Sequence, residues 1–228
     1  MAMSDITVRK AVVADAPFLG LVVAMALGGN ESHPYYNIFV ELAARSDSQY
    51  SYCNALVAQV DGVVAGAIVG YDGARLQELR RPLYELMKQH LGEVRVVEDE
   101  TSAGEFYADS LAVLPQYRGM GVGRLLLGTM RDNAFALGFD RVGLLVDFDN
   151  PRAEKLYSSL GFSRVNRTTF LGHDMWHLQV QKNRKVTLTF LFFYAVNLVI
   201  PILQVLRRRQ QCRPWLPVLQ QLYHRGRR

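Results

Sequence analysis

The period of the hydrophobic positions changes repeatedly along this chain, and each change marks an element. Ile6 to Lys10 alternates in strand fashion. Asp15-Ala16-Pro17 then reads as a helix cap with proline in the first turn, followed by an apolar run from Phe18 to Leu27. With Arg9 and Lys10 before it and Ala24-Met25-Ala26 at its end, that run imitates a signal peptide. Asp15 and Pro17 interrupt the approach, so a buried first helix is expected instead. Ile38, Phe39, Leu42 and Ala43 mark a second amphipathic segment, and Ser46 to Ser51 a polar loop. Apolar runs on either side of Asp61-Gly62 predict a hairpin closed by a type I′ turn. Leu76, Leu79, Leu83, Leu86 and Met87 place a helix over 74–91 with a kink at Pro82. An acidic loop, 93–105, carries Glu98-Asp99-Glu100. A strand from Phe106 that closes into a turn at Pro115, and a helix from Val122 with Leu125, Leu126, Met130, Phe135 and Leu137 at helical spacing, form the centre of the chain. Gly138 stops that helix, and a buried strand, Arg141 to Val146, comes next. Asn150 caps a short helix opening on Pro151 and ending at Gly161. Ser163 to Val165 and Met175 to Val180 form a terminal strand pair.

Candidate chemistry lies between the central strand and helix. Arg118-Gly119-Met120-Gly121-Val122-Gly123 places three glycines in five residues at a helix N-terminus. Unshielded amides and the helix dipole make that loop an anion site, and the Arg118 guanidinium adds a charge shaped for phosphate oxygens. The spacing is not that of a Walker loop, because no lysine follows. Nor is it a dinucleotide fingerprint, because Arg124 stands where a third glycine belongs.

Arg118-x-x-Gly121-x-Gly123 resembles the pyrophosphate loop of the GNAT superfamily of acyl-CoA N-acyltransferases, and Leu111-Ala112-Val113-x-Pro115-x-Tyr117 resembles its lead-in. A second GNAT signature, Asn-x-x-Ala-x-x-Leu/Phe-Tyr-x-x-x-Gly-Phe, is matched at every fixed position from Asn150 to Phe162. The resemblance covers roughly residues 4–181. It implies an α/β fold with a central mixed, mostly antiparallel sheet of six to seven strands flanked by helices, plus a basic, apolar C-terminal extension over 182–228.

It also implies acetyl-CoA as co-substrate, an amine as acceptor and direct transfer in a ternary complex, with no metal. The loop 118–124 (Arg118, Gly119, Met120, Gly121, Val122, Gly123 and Arg124) would hold the pyrophosphate. The backbone of Leu111, Ala112 and Val113 would hold the pantetheine arm, which Asn150 would also bond. A Val113 amide would polarise the thioester carbonyl. Tyr157 matches the tyrosine placed near the sulfur as an acid. An alkylammonium of pKa about 10 is neutral roughly once in a thousand molecules at pH 7, so a base is also needed. Glu105 lies where some members carry a catalytic glutamate. Asp109 is nearer the carbonyl, and alternation puts Glu105, Tyr107, Asp109 and Leu111 on one face of their strand. A water chain is the third candidate. A non-catalytic acyl-CoA-binding regulatory module, tethered through the tail, is the alternative from another class. Aromatics near Tyr35 and Tyr36 suit either an acceptor pocket or the core.

Charge changes the picture only for the tail. The net charge is +5, yet all 21 acidic residues precede position 182, while 10 of the 26 Lys and Arg follow 181. The basic balance therefore belongs to residues 182–228 and implies no nucleic-acid partner for the main domain. Residues 186–206 are uncharged and as a helix would span about 31 Å, enough for a bilayer core. The seven arginines that follow oppose insertion from the cytosolic side, where an acetyl-CoA site belongs. A cytoplasmic protein, associated with a membrane through 186–206 or extended by a packing segment, is expected. Whether it is a homodimer stays open.

Overall fold

The computed structural model describes residues 4–182, so the tail expectations at 186–206 lie outside the described residues. Seven strands and five helices follow in the order β1 (Ile6–Lys10), α1 (Ala16–Ala26), α2 (Tyr36–Ala44), β2 (Ala55–Val60), β3 (Val63–Asp72), α3 (Leu76–Leu91), β4 (Phe106–Val113), α4 (Val122–Ala136), β5 (Arg141–Asp147), α5 (Pro151–Ser158), β6 (Ser163–Phe170) and β7 (His173–Gln181). They form one mixed sheet of order β1-β2-β3-β4-β5-β7-β6. Only β4 and β5 run parallel. This is the α/β architecture expected from the residue pattern.

Two layers of helix cover the sheet. Val122, Leu126, Leu127 and Met130 of α4 pack on Ile68, Phe106, Ala108, Val142 and Leu144, joined from α5 by Ala153 and Tyr157. On the opposite face α1 packs on Val57, Ala67 and Val69. There α1, α2 and α3 also share a core through Val23, Phe39, Leu42, Leu83 and Leu86. Burial at roughly 25 cal/mol per Å² of apolar surface favours this sandwich over either layer alone.

Local chemistry explains the connections. Asp61 and Gly62 adopt φ of 50° and 81°, the doubly positive geometry of a type I′ turn. The β6–β7 hairpin closes the same way, at Leu171 (φ 51°) and Gly172 (φ 79°). Its first strand runs to Phe170, well past Val165, because this exposed edge strand has no apolar alternation to announce it. Asp15, expected to cap α1, makes no side-chain cap there. Its carboxylate instead accepts from both terminal nitrogens of Arg9, at 2.7 and 2.8 Å, and from the Val12 amide at 2.7 Å. That ties β1 to the turn preceding α1. Among the described residues no helix is long and apolar enough to cross a membrane.

Two irregularities of β4 matter most. The register against β3 runs Val69↔Ser110 and then Gly70↔Ala108, so Asp109 is an extra residue, a β-bulge. Phe106 and Ala108 face α4 before the bulge, and Leu111 and Val113 face it afterwards. The strict alternation that put Leu111 with Glu105, Tyr107 and Asp109 is therefore broken. Leu111 belongs to the α4 side, while Tyr107 packs with Tyr71, Leu76 and Leu79 on the other. The second irregularity is the pairing with β5, which comprises Phe106↔Val142 and Tyr107↔Gly143. Beyond those pairs β5 continues against β7 alone.

Candidate active site

A strand in the middle of a sheet should be buried along its length. In β4 burial ends at Ser110, and Leu111, Ala112, Val113 and Leu114 are all half-buried although apolar. Beyond Tyr107 the β5-facing edge of β4 has no strand partner among the described residues. The chain leads from there through Pro115–Tyr117 to the glycine-rich loop. Gly119 (φ 81°) and Gly121 (φ 88°) hold the left-handed conformation that glycine tolerates best, and a Cβ on either would meet nothing within 4 Å. Gly121 is the N-cap of α4, and no side chain caps that helix. Its first amides thus have no side-chain cap, and the exposed Arg118 just before them donates its Nε to the Val113 carbonyl at 3.1 Å.

The other loop residues divide by role. Val122 is 1% exposed with its side chain in the core, so its backbone alone faces the loop. Met120 is exposed. Arg124 turns away, donating to the Ser159 hydroxyl at 2.7 Å and fastening α4 to the end of α5. Asn150 caps α5 by accepting from the Ala153 amide at 3.1 Å. Tyr157, half-buried on α5, lies 6.3 Å from the Phe162 ring centroid. Burial lifts its phenol to about 12, and among the described residues its hydroxyl has no hydrogen-bond partner.

On the α3 side of β4 the two acids have opposite environments. Glu105 is saturated: it accepts from Thr101 Oγ1 and Gln179 Nε2, each at 2.7 Å, and from His177 Nε2 at 3.0 Å. Gly143 makes room for it, because a Cβ there would collide with the carboxylate. Burial pushes Glu105 up, but hydrogen bonds from His177, Thr101 and Gln179 outweigh it and hold the group below the usual carboxylate range. Asp109 has the reverse balance. Burial pushes it above the usual range, against hydrogen bonding with Ser110 and Tyr71 and the charge of Arg80. It stays partly exposed at the bulge.

Of four residues around Asp109, Tyr50, Tyr71 and Arg80 carried no signal in the sequence, and Glu100 showed only as one charge of the acidic run. Tyr71 Oη lies 2.8 Å from Asp109 Oδ2 and 2.8 Å from Glu100 Oε1. Glu100, inside the acidic run, is 6% exposed and paired with Arg80 of α3. Arg80, 1% exposed, also donates to the Val97 and Glu98 carbonyls and to Asp99, at 3.0, 3.1 and 3.0 Å. It therefore pins the acidic loop over this face. Tyr50 completes the surround, its phenol pushed up by burial and then by the Asp109 charge. Tyr107 is pushed up by burial and by the charges of Asp109, Glu105, Tyr50 and Tyr157. These residues come from separate elements and are joined only by the fold. Tyr35 and Tyr36 pack against the α1–α2–α3 core. Replacing Arg80 by Leu is expected to destabilise the protein by about 3 kcal/mol in denaturant unfolding, because it leaves the buried Glu100 charge unpaired.

Among the described residues no group of three or more His, Cys, Asp or Glu is placed to hold a metal ion. A family model, the Acetyltransferase (GNAT) family, matches residues 25–162. A mycothiol acetyltransferase of Kineococcus radiotolerans is 49% identical over 66 residues, 29% of this chain and 21% of that protein. The matches to curated relatives span only 16 to 23% of those proteins' length. A solved structure described as an acetyltransferase superposes with a TM-score of 0.66 at 34% identity, covering 78% of this chain and 100% of that one. An N-acetyltransferase from Staphylococcus aureus Mu50 shares the fold at 23% identity, with a TM-score of 0.63 and coverage of 76% and 100%.

Proposed function

Because the chain belongs to the acetyltransferase (GNAT) family, we propose that residues 4–181 move an acetyl group from acetyl-CoA to a primary amine by direct attack. One observation carries this reading. β4 loses its β5 partner after Tyr107, and its free edge leads past Asp109 to the uncapped start of α4, so the parting strands would form a slot there. An apolar slot ending in an anion site suits a long arm with a diphosphate at its end. Gly119 to Gly123 and Arg118 would hold the diphosphate, and the backbone of Leu111 to Val113 the arm.

The reacting groups follow from proton balance. Asp109 takes a proton from the ammonium, because its carboxyl is lifted toward neutrality where a base is useful, whereas Glu105 is saturated with donors. The freed nitrogen attacks the thioester carbonyl. The C–N bond forms, the C–S bond breaks, and Tyr157 gives the departing sulfur its phenolic proton. The second proton leaving nitrogen restores Tyr157. Glu105 orients the start of β4 and stays ionised. Asn150 holds α5, and with it Tyr157, in place. The acceptor is a small molecule or a protein amine, and acetyl transfer by the mycothiol acetyltransferase relatives is consistent with this.

Tyr157→Phe is expected to lower kcat by about 100-fold while leaving acetyl-CoA affinity unchanged in calorimetry. Initial rates with both substrates varied test the reaction order directly. Intersecting lines are expected for a ternary complex; parallel lines would indicate an acetyl-enzyme and overturn direct attack.

A further inference from the structure

The contacts of Tyr71 contain a proton count. Its hydroxyl lies 2.8 Å from a carboxyl oxygen of Asp109 and 2.8 Å from one of Glu100, inside a site where Tyr71 is 3% and Glu100 6% exposed. A phenol carries one hydrogen. If both carboxyls were ionised, one of the two contacts would set lone pairs against lone pairs at 2.8 Å, too close for a water between them. One additional proton must lie in the array. Glu100 is paired with the buried Arg80 and keeps its charge, whereas among the described residues Asp109 has no cation within hydrogen-bonding distance. A proton on Asp109 Oδ2, donated to Tyr71 Oη while Tyr71 donates to Glu100 Oε1, would satisfy both contacts.

We infer that Asp109, Tyr71 and Glu100 form a one-proton store, and that the arrangement described here is its loaded form. This rests on the reading of Asp109 as proton acceptor and gives that proton a destination. In the empty form both acids are ionised and Tyr71 donates to one of them. The N–H bond of the substrate ammonium breaks, its proton forms the O–H bond of Asp109, and the second short contact closes. Release of that proton to water through partly exposed Asp109 resets the store. Tyr71 and Glu100 touch no substrate in this scheme and act as positioning residues. Arg80 keeps Glu100 ionised and ties the store to the acidic loop. The groups facing Asp109 are Tyr50 from the segment before β2, Tyr71 from β3, Arg80 from α3, and Tyr107 and Ser110 from β4. Of these Arg80 alone carries a fixed charge, and it is paired with Glu100 while acting on Asp109 through its charge.

Infrared titration of the full-length protein reads protonated carboxyl C=O stretches separately from ionised ones. One such band should persist above about pH 4, where ordinary Asp and Glu ionise, and should vanish in Asp109→Asn. Glu100→Gln removes the neighbouring negative charge while keeping an oxygen for Arg80. It should lower the midpoint of the band by about one pH unit and move the acidic limb of kcat/KM by the same amount. Tyr71→Phe retains the ring packed on Tyr107 at 5.8 Å. It should shift the band's frequency, because the acceptor for the Asp109 proton is gone. It provides the same test should Glu100→Gln not fold. The store is overturned if no band persists, if the band survives Asp109→Asn, or if its midpoint ignores Glu100→Gln and its frequency ignores Tyr71→Phe. The infrared outcome does not depend on turnover. A band that behaves as stated in a protein that acetylates no amine leaves the store standing and removes the acyl-transfer reading alone.

Discussion

Gly121→Glu is expected to weaken acetyl-CoA binding by at least about 1000-fold, with the far-ultraviolet circular dichroism unchanged. Two effects combine. Residue 121 holds φ at 88°, where a side chain costs roughly 1–2 kcal/mol of backbone strain. The larger effect is electrostatic: a carboxylate at the N-cap of α4 would take the uncapped amides for itself and repel an incoming diphosphate. The position is open, with nothing within 4 Å of a Cβ, so the fold should accept the substitution. Calorimetry with acetyl-CoA makes the comparison. Unaltered affinity in a folded variant would remove the glycine-rich loop from the binding site.

The second large effect separates the two acids. Asp109→Asn should lower kcat by about 1000-fold while acetyl-CoA affinity stays within about twofold, because the base is lost and the diphosphate site is untouched. Glu105→Gln should behave differently. It weakens a carboxylate that accepts three hydrogen bonds, so the expected loss is about 1–3 kcal/mol of stability with a modest change in kcat. The pH dependences have opposite origins. Asp109 must be ionised to accept a proton and its pKa is raised, so kcat/KM should fall as pH drops through that raised value. Glu105 is held below its unfolded value, so its contribution to stability is present above the unfolded pKa and is lost as pH falls through the lower folded one. Activity should therefore decline on acidification before the stabilisation from Glu105 is lost. Reversed results for the two substitutions would move the base to Glu105.

How far the sequence could be read followed from how local each feature is. The glycine-rich loop, the Asn150 cap and the Asp61-Gly62 turn are legible because a few consecutive residues determine their backbone. The β6 strand was legible only in part. Its exposed run Arg164 to Thr169 lacks apolar alternation, and Leu171 occupies a positive φ that residue type does not advertise. The bulge at Asp109 was invisible, because an extra residue shows itself only against the register of β3. Period-two reasoning consequently put Leu111 on the wrong face. The acidic run read as three similar charges, yet Glu100 is buried by Arg80, 20 residues away, while Asp99 stays exposed. Tyr71, Arg80 and Glu100 come from β3, α3 and the following loop, so neither spacing nor composition brings them together.

The central claim, acetyl transfer to an amine at the mouth of the β4–β5 slot, is tested most directly by thiol release. Full-length protein would be given acetyl-CoA and a panel of primary amines, and free CoA thiol followed with time, with Asp109→Asn in parallel. The account predicts amine-dependent release at a rate well above the background without protein, together with its loss in Asp109→Asn. Tight acetyl-CoA binding without release for any small amine or amine-bearing peptide would contradict it and leave a module that holds acyl-CoA without using it.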